Sequence, residues 1–325
     1  MEKSRRSFVR GAMCLPLLGV AGLAFGQAYP SKPIRIVVPY PPGGTNDAVA
    51  RILAHKLTEQ MGQPVLVENK PGASGNIGAD SVAKSPPDGY ALILVTTGHS
   101  IAPSLYSKLP YDIASDLVPV AELTSGPMLV MVNPQLPIKT LADLIALAKA
   151  KPGTINFASA GNGSTTHLTP ELISNLAGIK MNHIPYKGSG PAMADVIAGS
   201  VQVVLDLMFS AMPQVKGGRL RAIAITGSAR SPLLPEVPTV AESGFPGFEA
   251  TVWNGLMAPA NTPKEVIARL NAEIKKALAT ADMNELLQSQ GFAASWSTPE
   301  QFGALIHSEL ERWKKVVKAS GATIG

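Results

Sequence analysis

Two glycine- and hydroxyl-rich stretches offer the kind of groups that bind anions. The first glycine loop, residues 39–47, reads PYPPGGTND, and the second glycine loop, residues 160–166, reads AGNGSTT. Small residues let the backbone approach a ligand closely and direct successive N–H groups to one side. Hydroxyl and amide side chains add neutral hydrogen-bond donors. These residue types predict that the chain binds an anion by hydrogen bonds in two places.

Each glycine loop lies between a predicted strand and a predicted helix. The apolar run 34–38 precedes the first loop, and apolar residues at helical spacing follow it up to Leu57. The run 155–159 precedes the second loop, and residues 167–176 continue it as a helix. Because the first N–H groups of a helix have no acceptor within it, a loop that enters a helix is a natural anion site.

The rest of the chain alternates in the same way between strands and helices. Further strands are predicted at residues 64–68, 90–96, 127–132, 181–186, 201–205 and 220–225. This alternation predicts parallel α/β sheets, and the two strand–loop–helix units suggest two similar lobes that face each other. Two late helices begin with capping boxes at Thr262 and Thr298 and are expected to pack back on the first lobe.

The predicted division of the chain follows from these patterns. The chain crosses between lobes near residues 122–127 and again near residues 249–259. The first lobe is therefore assigned residues 29–124 plus 250–325, and the second lobe residues 125–249.

Residues 1–28 are predicted to be an export signal rather than part of the fold. Four basic residues precede a short apolar stretch, which small residues follow at Ala24, Gly26 and Ala28. The pair Arg5-Arg6 also fits a twin-arginine signal, and an ordinary secretory signal remains the alternative. Export through either route would place the mature protein in the periplasm.

The charge of the mature chain argues against a nucleic-acid partner. The full chain of 325 residues has 28 basic and 23 acidic residues and a net charge of +5. Without residues 1–28 the counts are 24 basic and 22 acidic residues, a net charge of +2. Cys14, the only cysteine, also leaves with the signal, so no disulfide or thiol chemistry is expected.

Catalytic and metal-binding motifs are absent from the sequence. It contains no G-x-S-x-G, H-E-x-x-H, C-x-x-C or G-x-x-x-x-G-K motif. The five histidines are scattered without the spacing of metal ligands, although a metal site assembled only by the fold remains an alternative. No acid–base pair is evident. We therefore expect a binding protein without a metal or cofactor and not an enzyme.

The first glycine loop closely resembles the first signature of the Bug family, the extracytoplasmic solute receptors of tripartite tricarboxylate transporters. Family members often have phenylalanine where this chain has Tyr40. The resemblance continues in order along nearly the whole mature chain, through residues 68–76, 98–100, 104–106, 161–168, 186–188, 235–239 and 253–255.

This resemblance implies a fold and a function. The fold would be α/β, a two-lobed periplasmic binding protein of the Venus-flytrap kind, each lobe a mainly parallel sheet flanked by helices, with two crossover segments. Such a receptor, expected as a monomer, would capture a small carboxylate in the interlobe cleft and deliver it to the membrane components of the transporter. A di- or tricarboxylate, an aromatic acid and an amino acid all remain open as ligands. A sensor role, or an enzyme on the same scaffold, is the alternative function.

The resemblance also assigns ligand-binding residues in both lobes. The first-lobe side would comprise Tyr40, Gly43, Gly44, Thr45, Asn46, Asp47, Thr97 and His99. The second-lobe side would comprise Ser159, Gly163, Ser164, Thr165, Thr166, and, near the rim, Tyr186 and Lys187. Asp206 matches the position where amino-acid-binding members place an acid for the ligand's ammonium group. The alternative for Asp206 is a salt bridge or a cap on a neighbouring loop.

Overall fold

The structure, a computed structural model, describes residues 29–323. The first elements are β1 (Ile34–Val38), α1 (Thr45–Met61), β2 (Val65–Asn69), α2 (Asn76–Ala83), β3 (Ala91–Thr96), α3 (Thr97–Leu105) and β4 (Leu117–Val132). They are followed by α4 (Leu141–Ala150), β5 (Asn156–Ser159), α5 (Thr165–Ala177), β6 (Asn182–Pro185), α6 (Ser189–Ile197), β7 (Val203–Leu207), α7 (Met208–Lys216) and β8 (Arg221–Ile225). The last are β9 (Thr251–Pro259), α8 (Lys264–Leu278), α9 (Ala281–Ser289), β10 (Ala293–Ala294) and α10 (Pro299–Ser320).

The strands of both lobes belong to one continuous sheet in the order β2-β1-β3-β9-β4-β7-β5-β6. The strands β2, β1 and β3 are parallel in the first lobe, and β6, β5 and β7 are parallel in the second. β9 and β4 join them in the antiparallel sense. The predicted α/β class and parallel pairing are confirmed, and antiparallel strands occupy the centre because the chain crosses there.

The strand β4 runs through both lobes. Its segment from Leu117 to Pro127 pairs with β9 in the first lobe. Its last five residues, Met128 to Val132, pair with β7 and β8 in the second lobe. The sequence pattern predicted only residues 127–132 as a strand, because two register shifts and Pro119 break the apolar alternation of the first part. The predicted crossings thus fall on β4 and β9, while the lobe boundaries proposed from the sequence stay predictions.

The helix α10 connects the two lobes. Trp313 and Val316 of α10 pack with Ile101 and Leu105 of α3 and with Leu168 of α5 in one buried apolar cluster. The prediction that the late helices pack back on the first lobe holds for α8, which lies on the core of β1 and β3. It is incomplete for α10, whose second half also contacts the second lobe. None of the helices between residues 29 and 323 is long and apolar enough to cross a bilayer.

Candidate functional site

Four helices begin at the wall of one cleft between the lobes. The cleft has a volume of about 860 Å³, within the range of about 300–1,000 Å³ typical of small-molecule sites. The residues that precede α1, α3, α5 and α7, namely Gly44, Thr96, Ser164 and Leu207, all line it. Each helix follows the carboxyl end of a strand, which is where open α/β sheets bind ligands. The positive ends of four helix dipoles therefore meet at this cleft.

The first glycine loop is held by Asp47. The backbone N–H of Gly43, a residue with a φ of +87°, donates to Asp47 Oδ2 at 2.9 Å. The same oxygen accepts from Arg51 Nε at 2.9 Å, and Asp47 Oδ1 accepts from Asn69 Nδ2 at 2.9 Å. The hydrogen bond from Arg51, more than any other contact, lowers the pKa of Asp47 to about 2. Asp47 thus stays ionised and fixes the loop at the start of α1.

The second glycine loop repeats this geometry with a histidine in place of the aspartate. The backbone N–H of Gly163, at a φ of +74°, donates to His167 Nδ1 at 3.0 Å. Ser164 caps α5 by accepting the N–H of His167 at 3.2 Å. In both loops a glycine with positive φ donates to the side chain four residues later. The two anion-binding units predicted from sequence therefore have the same local structure.

Tyr40 is tied to the start of α3. Its hydroxyl lies 2.8 Å from Thr96 Oγ1, which also accepts the N–H of Gly98 at 3.2 Å. His99 completes the cap, because its Nδ1 accepts the N–H of Thr96 at 3.1 Å. Burial raises the pKa of Tyr40, so its phenol stays protonated. The Tyr40 hydroxyl therefore connects the first glycine loop to α3.

The structure brings ten of the predicted site residues to the cleft wall. They are Tyr40, Gly43, Gly44, Thr45, Asn46, Asp47, Thr97, Gly163, Ser164 and Thr165. Both predicted sides of the site thus face one cavity. Their contact with a ligand stays a prediction.

Three predicted residues lie behind the wall and support it. His99 is buried and caps α3, as described above. Ser159 Oγ accepts the N–H of Gly161 at 3.1 Å, and Thr166 Oγ1 accepts the N–H of Ala160 at 2.8 Å. These hydroxyls hold the second glycine loop in shape, a role that the sequence did not separate from ligand contact.

Two further predicted residues lie away from the cleft wall. The Tyr186 hydroxyl donates to Asp195 Oδ2 at 2.5 Å, and this hydrogen bond raises the pKa of Tyr186 to about 12. Lys187 is exposed and is not among the residues that line the cleft. Its expected role as a rim charge that attracts an anion from solution stays a prediction.

Asp206 is also outside the cleft wall, although it is buried at the end of β7. Its Oδ1 accepts the N–H of Leu207 at 2.8 Å and the hydroxyl of Ser210 at 2.5 Å. Burial raises the pKa of Asp206. These contacts correspond to the capping alternative that the sequence left open.

Sequence reasoning missed most of the apolar part of the wall. The residues concerned are Ala102, Leu105, Tyr106, Leu207, Val252 and Phe292, together with the polar Ser74, Asn162 and Asn254. They come from elements far apart in the chain, so no local pattern connects them. Ser74, Leu105, Tyr106, Asn162 and Asn254 do lie in stretches that resemble the family, which was the available signal.

Three histidines, the buried His99 and His167 and the half-buried His183, make the stability of the fold pH-dependent. Burial lowers the pKa of His99, His167 and His183 to about 4 each. The His167 and His183 rings stack with their centroids 3.7 Å apart, and the charge of a protonated His167 further lowers the pKa of His183. In the unfolded chain their pKa values are about 6.5. The unfolded chain therefore binds these protons first as the pH falls.

We expect the contribution of these histidines to the free energy of unfolding to be fully retained above about pH 6.5 and to be lost between about pH 6.5 and pH 4. Glu122, whose pKa burial raises to about 7, contributes in the opposite sense over the same range. Fully buried His99 alone accounts for about 3 kcal/mol, at about 1.4 kcal/mol per pKa unit. Urea unfolding at pH 7.5 and pH 4.5 measures the loss. His99→Asn keeps an acceptor for the N–H of Thr96 and should reduce the loss of stability between the two pH values. The same change of urea midpoint between the two pH values in wild type and in His99→Asn would contradict a neutral buried His99.

Within residues 29–323 no group of three or more His, Cys, Asp and Glu side chains is arranged to hold a metal ion. Among the described residues that line the cleft, Asp47 is the only charged one. An anion in this cleft would therefore be held by backbone N–H groups, hydroxyls and amides rather than by basic side chains.

A two-lobed sheet with its cleft at the strand ends is the architecture of periplasmic binding proteins. The solved structure of the periplasmic binding protein BugD is 34% identical with a TM-score of 0.73, and the match covers 91% of this chain and 99% of that one. The chain matches the family described as tripartite tricarboxylate transporter family receptor over residues 49–322, and it belongs to this family.

Similar proteins include both a receptor-family relative and ligand-bound structures. Protein BugT of Bordetella pertussis is 41% identical over 308 residues, which cover 94% of each chain. An R. palustris protein solved with adipate is 35% identical with a TM-score of 0.76, over 91% of this chain and 100% of that one. MatC from Rhodopseudomonas palustris, solved with bound malate, is 34% identical with a TM-score of 0.73, over 89% and 100%.

Proposed function

We propose that this protein captures a small carboxylate in the interlobe cleft and delivers it to the membrane components of a tripartite tricarboxylate transporter. The observation that carries the proposal is the convergence of four helix starts on one cleft whose wall has no basic side chain among the described residues. Adipate and malate in the two related structures support a carboxylate as ligand.

Binding from both lobes would couple capture to closure. Residues of α1 and α3 in the first lobe and of α5 in the second line the same cavity. A ligand held by both sets has more contacts when the lobes approach each other, so it favours the closed state by differential affinity. A membrane partner that recognises the closed form would then receive only loaded receptor.

The proposal also places the protein in the periplasm and assigns it a binding role as a monomer. Export of the chain to the periplasm would depend on the signal at residues 1–28, which lies outside the described residues. We propose a monomer that acts by binding and not by catalysis. The absence of catalytic motifs from the sequence supports a binding role, as does the carboxylate of the wall, Asp47, whose oxygens are engaged by Gly43, Arg51 and Asn69.

Uptake by cells tests delivery. Deleting the gene should abolish high-affinity uptake of the labelled carboxylate that the purified protein binds, and expressing the full chain should restore it. A chain with Ser164→Asp, made at the same level, should not restore uptake. If uptake continues without the gene and only ligand-dependent transcription is lost, the protein is a sensor and the transport proposal is wrong.

A further inference from the structure

We propose that the cleft selects carboxylates that have an apolar body and no ammonium group, and that it discriminates against amino acids. The probes of this class are aliphatic dicarboxylates and arylalkanoates. The inference rests on the proposed function, since it specifies which carboxylates the same cleft accepts. Two observations support it. The two acids that could pair with an ammonium group are not available to a ligand, and the wall has apolar side chains.

The acid on the cleft wall has no free oxygen to offer. Asp47 accepts hydrogen bonds on both oxygens, from Gly43 and Arg51 on one and from Asn69 on the other. Only 5% of its side chain is exposed, and Arg51 already neutralises its charge. An ammonium group that took Asp47 as partner would have to break the contacts that hold the first glycine loop.

The second acid lies behind the wall. Asp206 is 4% exposed, and its Oδ1 is occupied by the N–H of Leu207 and the hydroxyl of Ser210. The side chain that lines the cleft at this strand end is that of Leu207 instead. A ligand ammonium would meet a leucine there and would lose its hydration without gaining an anionic partner, which is costly in a buried site.

The wall between the helix starts is largely hydrocarbon. Leu207, Val252 and Phe292 line the cleft and pack with the Tyr40 ring in a single apolar cluster. Leu105 and Tyr106, at the end of α3, line it as well. The polar tip of Tyr106 is used by Ser74, to which its hydroxyl donates at 3.0 Å. Methylene groups or a ring of the ligand would be buried against these surfaces, at about 25 cal/mol per Å².

Matched ligand pairs on the mature protein test the selectivity. The pairs are succinate and aspartate, adipate and 2-aminoadipate, and 3-phenylpropanoate and phenylalanine, each measured by titration calorimetry at pH 7.5. We expect adipate and 3-phenylpropanoate each to bind at least ten-fold more tightly than the amino acid paired with it. We also expect adipate and 3-phenylpropanoate to bind more tightly than succinate. Adipamide, the diamide of adipate, serves as the uncharged control.

The outcomes separate this inference from the proposed function. If an amino acid binds as tightly as its amino-free partner, or if succinate binds most tightly, the selectivity is wrong while carboxylate capture stands. If adipamide binds as tightly as adipate, carboxylate capture itself is contradicted. Binding of none of the six acids would contradict both.

A substitution at the cleft wall should shift the preference toward amino acids. Leu207 precedes α7, a position that favours aspartate and asparagine alike, so Leu207→Asp and Leu207→Asn form a matched pair of variants. Relative to wild type, Leu207→Asp should shift the ratio of adipate to 2-aminoadipate affinity by at least ten-fold toward the amino acid. Leu207→Asn should leave the ratio within three-fold. An unchanged ratio in Leu207→Asp would overturn the role of Leu207 in excluding ammonium.

Discussion

Replacing either Gly44 or Ser164 by aspartate should reduce the affinity for a carboxylate more than 100-fold without unfolding the protein. Both residues precede a helix and line the cleft, one in each lobe. A carboxylate introduced there would stand where the ligand's carboxylate is expected. Two negative charges about 4 Å apart repel by about 4 kcal/mol at an effective dielectric constant of 20, which corresponds to roughly a thousand-fold in affinity.

The fold should tolerate both aspartates. Gly44 has an extended backbone, with φ −84° and ψ 172°, and a Cβ added there would meet nothing closer than Pro41 O at 4.0 Å. Ser164 has φ −69° and ψ 161° and already caps α5. Because aspartate is a good N-cap, the thermal stability of Gly44→Asp should match or exceed that of wild type. Ser164→Asp keeps the cap but loses the hydroxyl that donates to Gly161 O at 2.7 Å, so it should melt slightly below wild type while remaining folded. Circular dichroism melting checks this.

Gly44→Asn and Ser164→Asn are the matched controls, because asparagine caps a helix and has the size of aspartate but carries no charge. We expect them to lose much less affinity than the aspartate variants in titration calorimetry with adipate. If each asparagine variant binds as poorly as its aspartate counterpart, crowding and not charge explains the loss. Micromolar binding retained in both aspartate variants would place the ligand elsewhere.

Replacing Trp313 by alanine should destabilise the protein by about 3–5 kcal/mol, the usual cost of removing a buried aromatic side chain. Trp313 is 1% exposed and lies in the cluster that joins α3, α5 and α10. Its Nε1 donates to Glu309 Oε2 at 2.7 Å, so the truncation also leaves that buried carboxylate with one partner fewer. For a chain of this size we expect the melting temperature to fall by about 10 °C.

Trp313→Phe separates packing from hydrogen bonding. Phenylalanine keeps most of the ring contacts and loses only the N–H donor, while Arg312 still holds Glu309 at 2.9 Å. Its loss of stability should therefore be less than half that of Trp313→Ala in urea unfolding. A change below 1 kcal/mol in the alanine variant would show that α10 is not a structural connection between the lobes.

The parts of the site that depend on local sequence were predictable. Positive φ at Gly43 and Gly163, and the helix starts that follow them, come from glycine-rich loops placed between a strand and a helix. Such units need only neighbouring residues, so their periodicity and capping residues reveal them. The α/β class was predictable for the same reason, because its strands are short apolar runs that alternate with helices.

The parts that depend on the assembled fold were not predictable in this way. Whether Asp206 faces the cleft or the protein interior is decided by the pairing of β7 and by Ser210 on α7, a helix that the sequence pattern did not indicate. His99 and Ser159 have residue types that suit ligand contact, yet the fold uses them to hold backbone groups behind the wall. Leu207, Val252 and Phe292 meet only because the chain crosses between lobes.

The most direct test of carboxylate capture is titration calorimetry of the mature protein, residues 29–325, with adipate and with adipamide. The helix starts at the cleft should favour the charged ligand, so we expect adipate to bind with micromolar or better affinity and adipamide at least 100-fold more weakly. The two ligands share the same chain length, and the comparison therefore isolates the charge. Equal affinities for the acid and the amide would contradict an anion site at the meeting point of these helices.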